Sequence, residues 1–362
     1  MASRRRFVAV AAGAAGGLLI GREGIPVVAA LQGPSPQRRE VFIGGRRVTV
    51  VDIHAHCVVP EVEAVVAGTP FAGRAAARPD TLALGPARIA QMDEQGVDVQ
   101  ALSINAFWWY DAERALARDI VAAQNEGLAN WCRTRPDRFV ALASTSLQFP
   151  DLAAEQLDHA ITTLGLRGAA IGGHVAGEDL SLPRYDPFWA KAEELGALVF
   201  MHPNNAQNVV RTGALSGRGN LGNIIGNPLE TTVFLSRLIF DGTLDRFPGL
   251  KICAAHAGGY LPSYLGRTEV ACDVRADANC ANRRRPSEYL RDQILIDSMV
   301  FSEEGLRHLV AEAGPGQIVY GTDVPYYWPL GLDLILGAPF LSDADREAIV
   351  GGTLSRLLRV AS

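Results

Sequence analysis

His54 and His56 lie one residue apart at the end of an apolar run that spans residues 48–56. Side chains two positions apart on a strand point to the same face, so these two imidazoles can bind one divalent metal ion. Packing or solvation of the two rings is the alternative explanation. Further ligands elsewhere in the chain must therefore decide between the two.

Other residues with acid–base or metal-binding side chains end, or closely follow, later apolar runs. They are His174, His202, His256 and Asp323. Five of the seven histidines thus occupy the same kind of position, which packing alone does not explain. The other two, His159 and His308, fall in helical patterns, and we predict structural roles for them.

The positions of these residues depend on eight short β-rich runs that alternate with helical patterns. The predicted strands are residues 48–56, 97–104, 139–144, 168–172, 197–202, 250–256, 294–297 and 317–323. The predicted helices are residues 88–95, 112–134, 152–164, 187–195, 228–240 and 303–313, with a short turn at 262–266. Strands separated by helices pair in parallel through right-handed crossovers. Near-continuous apolar strands are typical of a sheet that is buried on both faces.

Eight such units predict an α/β fold, a (β/α)8 TIM-like barrel, with a small N-terminal hairpin at 41–47 and C-terminal helices within 342–360. An open doubly wound sheet is the rival, but the first strand–helix turn has no Gly-x-Gly-x-x-Gly phosphate loop. Without internal repeats or linkers, residues 41–362 are expected to form one domain. Catalytic groups of such barrels lie at the C-terminal strand ends, where these histidines fall.

The N-terminus has the features of an export signal. Arg5 and Arg6 precede Phe7 and an apolar, Ala- and Gly-rich stretch over residues 8–20. This stretch is shorter than the roughly 20 residues of a stable membrane span and is typical of a signal peptide. Paired arginines before an aromatic residue indicate the bacterial twin-arginine type. We therefore predict a signal over residues 1–32 and a periplasmic or exported protein; an uncleaved basic tail is the alternative.

Composition limits the partners and the redox chemistry. The 362 residues are 48% hydrophobic, as in ordinary globular proteins, and the net charge of −5 gives no basic footprint for nucleic acid. An odd count of five cysteines does not suggest a disulfide framework, although Cys272 and Cys280 could bridge one loop after export. Cys57 follows His56 on the opposite strand face, so we predict that it packs rather than binds metal.

Four motifs in one order carry a resemblance to the amidohydrolase superfamily. They are Asp52-x-His54-x-His56, Met201-His202-Pro203, Ala255-His256-Ala257-Gly258-Gly259 and Gly321-Thr322-Asp323-Val324-Pro325. The similarity extends over about residues 50–335 and is closest to the branch of metal-dependent decarboxylases. It implies that one divalent ion is bound by His54, His56, His202 and Asp323, and that His256 is a general acid/base beside a metal-bound water.

The chemistry of the residues agrees with these implied roles. Three neutral imidazoles and a carboxylate suit zinc, which we expect, or manganese, and ligand type alone does not choose between them. Many superfamily members bridge two metals with a carboxylated lysine at a strand end. The two lysines of this chain lie inside a predicted helix, Lys191, and at a strand start, Lys251. We therefore predict a single ion.

Four residues are candidates for substrate binding. Arg267 matches an arginine that crosses a dimer interface in the family to bind a substrate carboxylate, which implies a homodimer; a surface arginine is the alternative. Tyr326 stands where the family has an aromatic pocket residue. Trp108, in the aromatic cluster 107–110, could form a wall for an aromatic or dienoic substrate or pack on the barrel. His174 could bind substrate or support the site.

Two departures from the family pattern leave the substrate open. The position of a second carboxylate-binding arginine falls near Ala76, which Arg74 and Arg78 flank. Asn204 and Asn205 replace a family tryptophan, and the Gly- and Asn-rich loop 204–227 predicts a mobile lid over a different pocket.

The sequence therefore predicts a metal-dependent, non-oxidative decarboxylase of an unsaturated or aromatic carboxylic acid, in which Asp323 or His256 protonates the carbon that loses CO2. A hydrolase of a lactone, ester or amide, with metal hydroxide as nucleophile and His256 as proton shuttle, is the alternative. A barrel that only binds a ligand or metal is a third, non-catalytic hypothesis.

Overall fold

Strands and helices alternate along the chain in the computed structural model, which describes residues 38–76, 84–104, 108–204, 206–326 and 328–360. The strands are β1 (Phe42–Ile43), β2 (Arg46–Arg47), β3 (Val51–Cys57), β4 (Val99–Ile104), β5 (Phe139–Ala141), β6 (Gly168–Ile171), β7 (His174–Val175), β8 (Glu178–Asp179), β9 (Leu198–Met201), β10 (Lys251–Ala254), β11 (Ile294–Asp297) and β12 (Ile318–Val319). The helices are α1 (Val62–Val66), α2 (Pro86–Gln95), α3 (Arg114–Thr134), α4 (Pro150–Thr162), α5 (Asp186–Glu194), α6 (Asn227–Phe240), α7 (Thr243–Arg246), α8 (Ala255–Gly258), α9 (Leu265–Val274), α10 (Pro286–Leu290), α11 (Glu303–Ala313), α12 (Leu332–Gly337), α13 (Asp343–Glu347) and α14 (Thr353–Leu357). The predicted signal, residues 1–32, lies outside the described residues.

Eight parallel strands form a closed ring. β3 pairs with β4 and β4 with β5, while β6, β9, β10, β11 and β12 pair in that order. Two bridges complete the ring: Ala143 pairs with Ala169 between β5 and β6, and Ala55 of β3 pairs with Val324 beyond β12. The predicted (β/α)8 barrel is confirmed. β1 and β2 form the predicted N-terminal hairpin, and α13 and α14 are the C-terminal helices predicted within 342–360.

The inside of the barrel is apolar and is closed at the N-terminal end by the C-terminal helices. Leu354 and Leu358 belong to the same buried cluster as the interior side chains of the strands, such as Phe200. A Cβ atom at Gly351 would lie 2.0 Å from the carbonyl oxygen of Thr49. Only glycine therefore lets this segment pack against the start of β3.

Strand β3 reverses the side to which its residues point. Val51 and Ile53 belong to the barrel-interior cluster, and the register with β4 shifts between Asp52 and Ala55. Such a shift reorients the side chains that follow it. After it, the His54 ring lies 5.3 Å from the interior Phe200 ring. The irregularity thus directs His54, and with it His56, into the C-terminal mouth.

The cysteines and His308 lie away from this mouth or inside the packing. Cys272 and Cys280 form a disulfide between the end of α9 and the segment after it. Cys57 is buried and free, as predicted for a packing residue, and burial raises the pKa of its thiol to about 12. His308 of α11 contacts the Pro262 carbonyl oxygen at 3.2 Å. Within the described ranges, no helix has the length and apolar character needed to cross a membrane.

Candidate metal centre and active site

Five predicted site residues meet at the C-terminal mouth of the barrel. The Nε2 atoms of His54 and His56 lie 3.2 Å apart, and Oδ1 of Asp323 lies 3.1 Å from each of them. One ligand atom from each of His54, His202, His256 and Asp323 also falls within 4.8 Å of the others. The fold therefore brings together residues that are up to 269 positions apart in the sequence, from 54 to 323.

The hydrogen bonds of the two first histidines determine which atoms face inward. The His54 Nδ1 lies 2.7 Å from Oδ2 of Asp297, and the His56 Nδ1 lies 3.4 Å from the Ile104 carbonyl oxygen. Since both partners are acceptors, each neutral ring carries its proton on Nδ1 and presents the lone pair of Nε2. Two lone pairs and the Asp323 carboxylate oxygen thus converge on one point.

Such a set of electron-pair donors fits a metal ion. Ligands about 2.1 Å from a common ion and separated by angles of 90–109° are about 3.0–3.4 Å from one another, which agrees with the spacing of these three atoms. In the described part of the chain, the buried Nδ1 of His202 has no hydrogen-bond partner. The residues of this cluster could therefore hold a metal ion.

The pKa shifts of His54 and Asp323 indicate that this cluster favours one positive charge. Burial lowers the pKa of His54, but the Asp323 and Asp297 carboxylates raise it more, and the net pKa is about 10. Burial opposes ionisation of Asp323, yet His54 and His56 hold its pKa well below the usual range. In the absence of an ion, a proton on this cluster provides the positive charge that the three converging electron-pair donors favour.

His256 has the properties of a neutral base. Burial and the charge on His54 lower its pKa to about 4, although Asp297 and Asp323 act in the opposite direction. Its Nε2 lies 4.0 Å from Oδ2 of Asp323, and no group in the described residues pairs with its buried Nδ1. His256 can therefore accept or donate a proton next to Asp323.

Two residues at the site were not found from the sequence. Trp328 donates its Nε1–H to Oδ2 of Asp323 at 2.9 Å and stacks on Phe301, with ring centroids 5.5 Å apart. Trp328 thus holds Oδ2 of Asp323 in place, while Oδ1 of the same carboxylate contacts His54 and His56. Asp297, fully buried, is the other. It is the last residue of an apolar strand, the position that singled out the other residues, and this signal could have found it.

The carboxylate of Asp52 fastens the metal-binding strand to its neighbours. It accepts hydrogen bonds from the His54 backbone N–H at 3.0 Å, from the Thr322 hydroxyl at 2.7 Å and from the Gln100 amide at 3.2 Å. Burial raises the pKa of Asp52, and the hydrogen bond from Thr322 opposes that rise. β3 and the segment after β12 are held together directly beneath the converging ligands.

Trp108 and His174 line a separate cavity of about 260 Å³ at the same end of the barrel, together with Arg74, Asn204 and Glu230. Phe107, Arg78 and Asn205, which the sequence also pointed to, lie outside the described residues. His174 Nδ1 accepts the Gly177 backbone N–H at 2.9 Å. Glu230 was not predicted; its carboxylate accepts the backbone N–H groups of Asn204 and Ala206, both at 2.9 Å.

Tyr326 and Arg267 take different places. The Tyr326 ring lies 5.8 Å from the His56 ring and is 46% exposed, at the edge of the mouth. Arg267 lies on the exposed side of α9 and is not among the residues that line the cavity or converge on the ligand cluster. A single chain therefore does not bring Arg267 to the site.

A (β/α)8 barrel with clustered histidines and an aspartate at its C-terminal mouth defines a class of metal-dependent enzymes. The chain belongs to the amidohydrolase family, whose profile, described as "Amidohydrolase", matches residues 51–360. The resemblance stated from the motifs is thereby confirmed.

The relatives that the chain is similar to are decarboxylases. Gamma-resorcylate decarboxylase of Rhodococcus jostii is 33% identical over 275 residues, which cover 72% of this chain and 83% of that protein. The 2-amino-3-carboxymuconate-6-semialdehyde decarboxylase of Dictyostelium discoideum is 32% identical over 283 residues, 75% of each chain. These relatives confirm the predicted decarboxylase branch of the superfamily.

The solved structures that this chain resembles also include decarboxylases. A 2,6-dihydroxybenzoate decarboxylase complexed with 2,6-dihydroxybenzoate superimposes with a TM-score of 0.74 at 28% identity, over 86% of this chain and 99% of that chain. Dihydroxybenzoic acid decarboxylase from Polaromonas sp. JS666, with bound manganese and the inhibitor 2-nitroresorcinol, gives a TM-score of 0.72 at 25% identity, over 86% and 97%. Metal binding is thus a property of a structural relative, and this chain has a histidine–aspartate cluster that could hold a metal ion.

Proposed function

We propose that this protein is a metal-dependent, non-oxidative decarboxylase of an aromatic or unsaturated carboxylic acid. One observation carries the proposal: His54 Nε2, His56 Nε2 and Asp323 Oδ1 converge at 3.1–3.2 Å beside His256. The decarboxylases to which the chain is 32–33% identical support the choice of reaction.

The reaction breaks the bond between the carboxyl carbon and its neighbour, CO2 leaves, and the electron pair that stays on the neighbouring carbon must receive a proton. An ion held by His54, His56, His202 and Asp323 would supply Lewis-acid stabilisation of negative charge on the substrate. His256 and the outer oxygen of Asp323, 4.0 Å apart, are the groups placed to hold that proton and deliver it. Burial of the ligand cluster keeps bulk water away from the carbanion-like carbon.

The decisive experiment offers the purified protein a panel of aromatic and dienoic acids and of lactones, and measures CO2 release against ring opening. We expect CO2 from at least one acid, and a loss of about 10²- to 10⁴-fold in the His256→Ala variant. Ring opening of a lactone without CO2 from any acid would overturn the proposal in favour of a hydrolase. Activity that is unchanged in His256→Ala would remove His256 from the reaction.

We propose zinc as the ion. Three imidazoles and one carboxylate support this choice, while the manganese in the Polaromonas relative keeps a second metal in the test. The two lysines, on α5 and at the start of β10, support a single ion. Elemental analysis of protein purified without chelators is expected to give one zinc per chain; manganese alone would overturn the choice of metal, and two ions per chain would overturn the single site.

We also propose a homodimer in which Arg267 of one subunit reaches the substrate of the other. Three exposed apolar side chains near Arg267 support an interface on this helix. They are Tyr264, Val270 and Val274. Sedimentation is expected to give a dimer, and Arg267→Ala to raise KM without removing the ion. A monomer at micromolar concentration that is fully active would contradict the proposal.

Finally, we propose export by a twin-arginine signal to the periplasm. The Cys272–Cys280 disulfide supports this proposal, because disulfides persist in oxidising compartments. Fractionation of bacterial cells should recover the wild-type chain outside the cytoplasm. The chain with Arg5→Lys and Arg6→Lys should remain in the cytoplasm. Equal export of the wild-type and the substituted chain would contradict this proposal.

A further inference from the structure

Asp297, at the end of β11, is fully buried, and its carboxylate accepts four hydrogen bonds. Oδ2 accepts from the His54 Nδ1–H at 2.7 Å and from the His256 backbone N–H at 3.0 Å. Oδ1 accepts from the backbone N–H groups of Ala257, at 2.7 Å, and Met299, at 3.2 Å. Each oxygen thus receives two donors, and both the His54 ring and the turn that carries His256 depend on one side chain.

That turn has a backbone conformation that L residues rarely adopt. His256 and Ala257 have φ values of 55° and 56°, and Gly258 and Gly259 follow with 72° and 66°. Left-handed backbone at residues other than glycine persists only where the surroundings over-determine it. The hydrogen bonds from the consecutive N–H groups of His256 and Ala257 to Asp297 provide such a constraint.

The same carboxylate fixes the metal ligand. A histidine that donates one ring N–H to a carboxylate keeps its other nitrogen free as a ligand and has its ring direction set, and loss of such a partner weakens metal binding by about 10- to 100-fold. Here the Asp297 oxygen that orients His54 is also the one that accepts the N–H of His256.

We propose that Asp297 is a positioning residue that sets the metal ligand His54 and the proton-carrying His256 in one arrangement, so that the two cannot be tuned independently. Its part in the reaction rests on the proposed decarboxylase function, whereas its part in ion binding does not. An amide cannot replace the carboxylate, because its NH2 group would face two N–H donors in either orientation.

The test compares Asp297→Asn with Asp98→Asn. Asp98 is also a buried carboxylate and accepts the Val50 backbone N–H at 2.8 Å, but it lies at the opposite end of the barrel. Affinity for zinc alone is measured by chelator competition, and CO2 release is measured at saturating zinc. We expect Asp297→Asn to lose about 10- to 100-fold in zinc affinity and at least about tenfold in kcat at saturating zinc, with KM less affected. Asp98→Asn should retain both within about twofold.

A second substitution separates the two roles. Ala257→Gly removes the strain at one of the two non-glycine residues with left-handed backbone, so in the Asp297→Asn background it should restore part of kcat but none of the zinc affinity. It also supplies a folded protein for the comparison if Asp297→Asn alone does not fold. Recovery of neither kcat nor affinity would overturn the role of Asp297 in holding the His256 turn.

The readouts also distinguish this inference from the function on which it rests. If no acid releases CO2 from the wild type, the proposed function fails, and the zinc affinity of Asp297→Asn still decides the orientation of His54. Wild-type zinc affinity and kcat in Asp297→Asn would overturn the inference.

Discussion

The two ends of one barrel are built in opposite ways. At the N-terminal end, Leu354 and Leu358 continue the apolar interior of the barrel. At the C-terminal mouth, three electron-pair donors face one another at 3.1–3.2 Å, and His256 and Asp323 have left-handed backbone, with φ of 55° and 57°. One end gains stability from packing, whereas the other brings electron-pair donors together and contains strained backbone. Substitutions at the two ends should therefore fail in different ways.

The largest effect on activity is expected at the mouth. Asp323→Asn replaces the charged carboxylate, both as a ligand and as the group that faces His256, with a neutral amide, so CO2 release should fall by about 10²- to 10⁴-fold and zinc affinity should fall with it. Because His54 and His56 then lack their shared anion, the variant is expected to bind zinc weakly while remaining folded. Kinetics, elemental analysis and thermal unfolding check this. Retention of a full complement of ion in Asp323→Asn would place the metal elsewhere.

The largest effect on stability is expected at the base. Leu354→Ala leaves a cavity in the barrel interior, where Leu354 is fully buried, and should lower the free energy of unfolding by about 2–5 kcal/mol. Zinc affinity and kcat should stay unchanged at a temperature where the variant is folded. Leu357→Ala, at a half-buried neighbour, is the matched control and should lose less. A fall in kcat that parallels the fall in stability would contradict the separation of the two ends.

Much of this contrast follows from the sequence, and the reasons for the remainder are physical. Apolar runs that alternate with helical patterns predicted the eight barrel strands, and the histidines and aspartate at the ends of some runs indicated the residues of the ligand cluster, because both signals are local along the chain. The register shift in β3 between Asp52 and Ala55 is a property of pairing with a neighbouring strand, so strict alternation could not reveal it. The same holds for the contacts of Asp297 and Trp328, which join separate strand ends.

The pH dependence of stability should separate the ion-free protein from the loaded one. The pKa of His54 is raised from 6.5 to about 10 in the folded state. This proton stabilises the ion-free protein fully below about pH 6.5, and the stabilisation is lost progressively as the pH rises through about 10. Bound zinc replaces the proton, so this alkaline loss should disappear and zinc uptake should release protons. Unfolding temperatures between pH 6.5 and 10, with and without zinc, test this; parallel profiles would contradict it.

The smallest effect is expected at the rim of the mouth. Trp328→Phe keeps the ring that stacks on Phe301 but removes the N–H that holds Oδ2 of Asp323 at 2.9 Å. One hydrogen bond to a charged group in a partly exposed position is worth about 1 kcal/mol, so kcat should fall about threefold to tenfold while zinc affinity changes less. Trp131→Phe, on α3 and away from the mouth, controls for the loss of an indole and should be neutral. If Trp328→Phe lowered zinc affinity as much as kcat, Trp328 would serve the ligand oxygen of Asp323 rather than the oxygen that faces His256.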